Sequence, residues 1–171
     1  MEIKTKRLIL RSMTLNDVND IYDYSKNTML SQFMYHRRNG ELEQIVNYVN
    51  ENIKQDNIGN KDSLTLSIVL DNKVIGEVAL LFFDEGIEIF WIINDKYQRL
   101  GYAYEASSAF IDYIKSNTSI KMISAHCDTR NIASKNLMEK LGFNYLGISE
   151  RIYPDDRSPA FEHSYELVLG E

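Results

Sequence analysis

The chain predicts a mixed α/β fold, with a central, mostly antiparallel sheet that carries one parallel pair and has helices on both faces. Three observations lead there. Apolar residues alternate from Leu64 to Ile93 and are broken only by short polar turns, the mark of an antiparallel meander. After that meander, helix-period and strand-period segments take turns, which is how a parallel crossover is written. The chain has 171 residues, 44% hydrophobic and 26% charged, enough apolar side chain for one domain with its own core.

Each element has its own reason. Arg7 to Arg11 is a short strand with Leu8 and Leu10 on one face. Thr14 and Asp17 stand at the spacing of a helix N-cap and its N3 acid, and Val18, Ile21 and Tyr22 follow at helical intervals. Glu41 to Ile53 places Leu42, Ile45, Val46, Val49 and Ile53 on one stripe. Asp56 to Asp62 reads as a loop. Leu64, Leu66, Ile68 and Leu70 alternate with Thr65, Ser67 and Val69, which predicts a half-buried strand. Asp71-Asn72-Lys73 is a hairpin turn, Val74 to Phe83 a strand, Asp84-Glu85-Gly86 a turn, and Ile87 to Ile93 the next strand. Leu100 to Ser116 is a helix with Ala103, Ala106, Phe110, Ile111 and Ile114 inward. Lys121 to Cys127 is a strand, and Ile132 to Leu141 a helix stopped by Gly142 in a left-handed conformation. Phe143 to Ile148 and Phe161 to Leu169 close the sheet across a polar loop, Asp155 to Ser158, bracketed by Pro154 and Pro159. No repeat, linker or second domain interrupts residues 1–171.

Several function classes fall away. The formal charge is -6, where a general nucleic-acid binder would carry a basic face. The longest apolar run, Val78 to Phe83, is too short to cross a bilayer, and no membrane role is expected. Cys127 is the single cysteine, so neither an intrachain disulfide nor a cysteine-based zinc site can form. The N-terminus lacks the apolar stretch of a signal peptide, which makes a reducing, cytoplasmic setting the default expectation. His36, His126 and His163 are scattered and show no metal-ligand spacing, so no metal is expected.

Two segments carry chemistry. Trp91 to Ala106 runs from strand through a polar turn into a helix, and holds Gln98-x-x-Gly101-x-Ala103. Small residues at a helix N-terminus leave backbone N–H groups free, and with the helix dipole they form an anion site. A plain tight strand-to-helix turn would read the same way, and this segment alone leaves both open. The second segment, Asp128 to Phe143, sets Asn131 at a helix N-cap and Ser134 one turn later on the same side.

Read together, the two segments resemble the GNAT superfamily, the Gcn5-related N-acetyltransferases. Gln98, Gly101 and Ala103 match that family's pyrophosphate loop, and Asn131, Ser134, Lys140, Leu141, Gly142 and Phe143 match its second signature. Thr5 to Arg11, Glu88 to Ile93 and Gly101 to Ala106 are similar to the branch that acetylates N-termini of ribosomal proteins, the Rim-type enzymes. Three positions depart from the pattern: Arg99 for a loop glycine, Tyr104 for a threonine, and Phe90 for a strand glycine.

The resemblance implies acetyl-CoA as cosubstrate, with its diphosphate on Gln98, Arg99, Leu100, Gly101, Tyr102, Ala103 and Tyr104. It implies a pantetheine arm along Ile87 to Ile93, with amides near Ile92 and Ile93 facing the thioester oxygen. Asn131, Ser134 and Lys140 complete the coenzyme set. The acceptor, a protein N-terminus, polyamine or other small amine, attacks directly. An alkylammonium has a pKa of about 10, so a base must take a proton. Glu88 is the preferred base, with Glu77 and Asp128 as rivals. Ser134 is the candidate at the leaving sulfur, with Tyr102 and Tyr145 as other donors. The segment Met29 to Gly40 borders the acceptor side in this superfamily. A homodimer stays open, and so does a catalytically inactive acetyl-CoA sensor or scaffold.

Overall fold

The computed structural model describes residues 1–34, 38, 40–58, 63–83, 86–153 and 160–170. In chain order these form β1 (Glu2–Lys4), β2 (Ile9–Ser12), α1 (Val18–Ser25), α2 (Leu42–Ile58), β3 (Ser63–Leu70), β4 (Lys73–Phe83), β5 (Gly86–Ile93), α3 (Tyr102–Asn117), β6 (Met122–Asp128), α4 (Ile132–Lys140), β7 (Asn144–Arg151) and β8 (Ala160–Val168). One eight-stranded sheet runs in the order β1-β2-β3-β4-β5-β6-β8-β7. Every neighbouring pair is antiparallel except β5–β6, which is parallel across α3.

Local chemistry accounts for the turns. Asp71 and Asn72 both take positive φ, 48° and 65°, and link Leu70 to Lys73 as a two-residue hairpin turn. Residue types that tolerate the left-handed region are what such a turn needs. Ahead of α1, Asp17 accepts the Thr14 N–H at 2.9 Å and closes the expected capping box, after which a 3-10 turn (Leu15–Asp17) leads into the helix. Asn131 caps α4 by accepting the Ser134 N–H at 3.2 Å, and Gly142 stops that helix with φ of +87°.

Two apolar layers cover the sheet. On one face α3 and α4 bury Ala106, Phe110, Ile114 and Met138 against Leu10, Leu66, Ile68, Val78, Leu80, Ile89 and Ile123. On the other, α1 and α2 set Ile21, Tyr24, Ile45 and Val49 against Met13, Val69 and Val74.

The structure corrects several boundaries and environments. α3 opens at Tyr102 rather than Leu100, because Gly101 takes the left-handed conformation just before it, and β7 runs on to Arg151 rather than ending at Ile148, because it stays paired with β8 as far as Ala160. β3 is buried on both faces, with Ser67 fully buried beside Leu66 and Ile68, because α1 and α2 cover the side that alternation left polar; the Ser67 hydroxyl donates to Asp17 at 3.1 Å. β1 escaped the reading, since three residues with one apolar side chain form a strand only through pairing with β2. β2 starts at Ile9 rather than Arg7, because Thr5 to Arg7 is held in a turn against α3. α2 runs to Ile58 rather than ending at Ile53, so Asp56 to Ile58 are helical, there being no glycine or proline before Gly59. The rest of that expected loop (59–62), the turn residues 84–85 and the loop 154–159 lie outside the described residues.

Gly76 shows how tightly β4 and β5 approach. A Cβ there would sit 2.3 Å from the Ile92 carbonyl oxygen and 2.9 Å from Ile93 Cδ1. Gly76→Ala is expected to lower stability by about 1–3 kcal/mol, the usual cost of overpacking. Urea unfolding measures it, and an unchanged midpoint would show that the two strands move apart freely.

Candidate active site

The site begins with a defect in the sheet. β5 and β6 share one rung, Glu88 opposite Ser124, supplemented by the Ser124 hydroxyl donating to the Ile87 carbonyl at 3.0 Å. Beyond Glu88 the strands part. On its other edge β5 stays paired with β4 from Gly86 to Ile93, and the Asn94 N–H continues that ladder to the Ile75 carbonyl at 2.8 Å. The period-two alternation of a strand then directs the Ile92 amide into the β4 ladder, opposite Glu77, and turns those of Trp91 and Ile93 toward the gap. A cleft of about 890 Å³ spans the opening, and Ile92, Trp91, Phe90, Glu88, His126, Asn131 and Ser134 are among the residues that line it.

At the end of β5 the chain makes a 3-10 turn (Asp95–Tyr97) and enters α3 through Gln98 to Gly101. Gly101 has φ of +83°, a conformation that favours glycine, and Arg99 has φ of +61°, where glycine would be the usual choice. From Arg99 to Tyr104, no backbone N–H meets an acceptor among the described residues; the first that does is Glu105, bonded to the Gly101 carbonyl at 3.0 Å. Six free donors at a helix N-terminus fit an anion with several oxygens. The Gln98 side chain donates to the Ile93 carbonyl at 3.0 Å and ties the loop to β5.

The N-terminal turn braces this loop. Arg7 donates from Nη1 to the Leu100 carbonyl at 3.0 Å and from Nε to Glu105 at 2.6 Å, and its guanidinium lies 4.4 Å from the Tyr102 ring centre. Thr5 donates to the same Glu105 carboxylate at 2.6 Å. Tyr104 lies under the Lys140 ammonium, 4.5 Å from the ring centre, which joins the first turn of α3 to the last turn of α4.

The acidic groups sort themselves by partner. Glu77, buried on β4, receives two bonds from Arg38, at 2.8 and 2.7 Å, and the hydroxyls of Tyr24 and Tyr48. Burial pushes the Glu77 carboxyl up, but the Arg38 guanidinium outweighs it and the net displacement is downward. Asp128 is likewise buried, yet its paired Arg130 at 2.7 and 2.6 Å holds the carboxyl below its ordinary range. Arg151 pairs with Glu162. A carboxylate held low and fully bonded makes a poor base, so the geometry argues against Glu77 and Asp128 in that role. Glu88 instead faces the gap, with His126 Nδ1 3.3 Å from its Oε1.

The cleft therefore joins Glu88, Ile92, Asn131 and Ser134. Gln98, Arg99, Leu100, Gly101, Tyr102, Ala103 and Tyr104 form the amide-rich turn beyond the end of β5, with Lys140 beside it, and Ile93 links turn and cleft. Asn131 spends its side-chain oxygen on the helix cap. Of the other proposed donors, Tyr145 packs on His163 and Tyr165, and Tyr102 lies against Arg7; neither lines the cleft. Cys127 lines it, but burial first, and Asp128 next, push its thiol up to about 11, which suits a small inert side chain. Of the Met29 to Gly40 segment, Leu30, Phe33, Met34 and Arg38 line the cleft; Tyr35, His36 and Arg37 lie outside the described residues. Sequence reasoning missed two features, His126 and the Arg7–Glu105 brace. The first needs the β5–β6 register, which no local pattern encodes; the second was present as an unassigned opening motif.

A splayed mixed sheet with a free-amide turn at its open end is the frame of an enzyme that uses an acyl-coenzyme A. Residues 7–144 match the model of the acetyltransferase (GNAT) domain, and the chain belongs to that family of acetyl-CoA-dependent N-acetyltransferases. It is 28% identical over 173 residues to the uncharacterized N-acetyltransferase YnaD of Bacillus subtilis, covering 100% of this chain and 99% of that one. A GNAT-family acetyltransferase of Bacillus anthracis superposes with a TM-score of 0.86 at 26% identity, covering 100% of both chains. RimL, a ribosomal L7/L12 alpha-N-protein acetyltransferase solved with coenzyme A, superposes with a TM-score of 0.87 at 16% identity over 98% of each chain, a likeness of fold. Among the described residues no helix is long and apolar enough to cross a membrane, and no group of three or more His, Cys, Asp or Glu is placed to hold a metal ion.

The Arg38–Glu77 pair yields a stability prediction. Glu77→Gln leaves a buried guanidinium without its counter-charge and is expected to cost about 3–5 kcal/mol in denaturant unfolding. Because the folded Glu77 carboxyl titrates below its ordinary value of 4.5, its contribution is complete above that pH and is lost as pH falls through the folded value. The parent should therefore lose stability on acidification below 4.5, and the variant should lose less over the same interval.

Proposed function

We propose that the protein moves the acetyl group of acetyl-CoA directly to a primary amine borne by a cationic acceptor, a protein N-terminus, a polyamine or another small amine. One observation carries the reading: the six unpartnered amides from Arg99 to Tyr104 stand where the splay between β5 and β6 opens. The diphosphate rests on those amides, with Arg99 adding charge, while the pantetheine arm pairs with the free edge of β5 and the Ile93 amide faces the thioester oxygen. Glu88 is the carboxylate that serves proton removal from the amine. Ser134 supplies the hydroxyl at the leaving sulfur.

Charge supports a cationic acceptor. Five carboxylates line the cleft, Glu51, Glu77, Glu88, Glu150 and Glu162, against two arginines, Arg38 and Arg151, which are already paired with Glu77 and Glu162. A lining with an excess of negative charge draws in an ammonium group and disfavours an anionic acceptor. The L7/L12 alpha-N-acetyltransferase of like fold makes an N-terminal peptide a natural first acceptor to try.

Thiol release from acetyl-CoA, followed across polyamines, aminoglycosides and ribosomal-protein N-terminal peptides, tests the activity. Ser134→Ala should slow release by roughly a hundredfold; an undiminished rate would remove Ser134 from the leaving group. Calorimetry with CoA tests the grip. Arg99→Gly should weaken binding by roughly tenfold, equal to about 1.4 kcal/mol. The same change should leave folding stability unaltered or raised by up to about 1 kcal/mol, since glycine accepts positive φ without strain. A well-folded parent giving no heat with CoA or acetyl-CoA would end this reading.

A further inference from the structure

Resting on the acetyl-transfer reading, we infer that His126 is the group that takes the proton from the acceptor amine, and that Glu88 is its positioning residue. The register of the splay sets the two groups side by side. Ser124 stands opposite Glu88, and His126, two residues on, projects on the same face of β6. That brings Nδ1 within 3.3 Å of Glu88 Oε1 across the last point at which the strands still touch. Nε2 meets no hydrogen-bond partner among the described residues, and His126 lines the cleft together with Glu88, Phe90 and Ser134.

The chemistry favours the imidazole. A carboxylate in water titrates at about 4 and an imidazole at about 6.5, and proton transfer from an ammonium near 10 is served better by the closer match. Glu88 beside Nδ1 holds the tautomer with hydrogen on Nδ1 and leaves the Nε2 lone pair as the acceptor, the division of labour of a carboxylate-oriented histidine. Other groups near the ring are Glu162 on β8 and Arg151 on β7, which act on it in opposite directions, and Glu88 on β5 is the largest influence. The net effect raises the imidazole above its ordinary 6.5.

Neutral His126 accepts one proton at Nε2 from the ammonium. The amine lone pair forms the C–N bond at the thioester carbonyl carbon. The C–S bond then breaks, the thiolate receives the second amine proton, and His126 returns its proton to solvent. The products are the acetamide, CoA thiol and one released proton.

The test uses the full chain and three nucleophiles, spermidine, a serine-initiated peptide and water itself, with thiol release from acetyl-CoA as the readout over pH. Imidazole 15N spectra, simple with three histidines, follow the ring directly. The parent rate should rise with pH along the His126 titration, above pH 6.5. His126→Gln should lose roughly a hundredfold or more in kcat and lose that limb, while the KM for acetyl-CoA stays within about twofold. Glu88→Gln should move both the limb and the ring titration to lower pH, an outcome that a direct Glu88 base would not give. An unchanged His163 signal reports that the variants are folded. An active parent matched by His126→Gln overturns the role of His126 alone. A ring titration that Glu88→Gln leaves in place overturns the pairing. A parent that binds acetyl-CoA yet releases no thiol with any nucleophile overturns the acetyl-transfer reading, and the proton acceptor with it.

Discussion

The lone rung between β5 and β6 is the constraint on which the rest of the molecule depends. Each strand is fully committed on its outer side, β5 to β4 from Gly86 to Ile93 and β6 to β8 from Met122 to Asp128. With those ladders made, and α3 crossing between the strands, closing the gap would require one ladder to slip or bend. Backbone groups that would otherwise complete a sheet are left facing a cleft. Such groups are costly to bury unpaired, so an extended ligand able to take the place of a strand gains what the protein's own strands forgo. The same geometry explains why chemistry gathers here. The rung places Glu88 and His126 at the narrow end, and the end of β5 delivers the chain to the amide-rich turn at the wide end.

Charge in the cleft is arranged by subtraction. Buried carboxylates at Glu77 and Asp128 are each bonded twice by a guanidinium, and Glu162 pairs with Arg151. These pairs fix structure: Arg38–Glu77 ties the segment before α2 to the middle of the sheet, and Arg130–Asp128 fixes the approach to α4. Pairing also silences them as bases, because an adjacent guanidinium favours the ionised form. What remains is Glu88, a carboxylate that meets an imidazole at 3.3 Å rather than a twofold-bonded guanidinium. That difference in kind separates Glu88 from its rivals, and no count of acidic residues could have made it.

The sequence held most of the fold because its elements are locally consistent. Alternation in β4 and β5, the Asp71-Asn72 turn, the Thr14–Asp17 box and the Asn131 and Gly142 caps each state their own geometry. Where local pattern and tertiary pairing diverge, the reading failed: β1 exists only beside β2, and Ser67 is buried only because a second helical layer covers it. The amide-rich turn proposed to hold the coenzyme was legible from Gly101 and Ala103, residues whose smallness has a backbone reason. The proposed acid–base pair was half legible. Glu88 lies on a recognisable strand, but His126 became relevant only when the parallel register set it across the gap, and register between strands separated by a helix leaves no trace in either segment. Arg7 is an intermediate case, visible as part of an opening motif while its purpose, holding Leu100 and Glu105, waited on contacts nearly a hundred residues away.

Arg99 brings these strands of reasoning to one residue. Among the described residues, three non-glycine positions take positive φ. Two, Asp71 and Asn72, are residue types that accept it and sit in a hairpin that demands it. The third is an arginine, which pays about 1–2 kcal/mol for the left-handed region and has no hairpin to justify it. Its flanks leave it little choice: Gln98 is bonded to the Ile93 carbonyl, the Leu100 carbonyl is held by Arg7, and Gly101 must turn left-handed to start α3. Strain of this sort persists where the surroundings over-determine it, and it clusters at sites that bind ligands. The bend that strains Arg99 is the bend that leaves six consecutive amides without acceptors among the described residues, so the cost of the conformation and the donors available to an anion have one geometric origin.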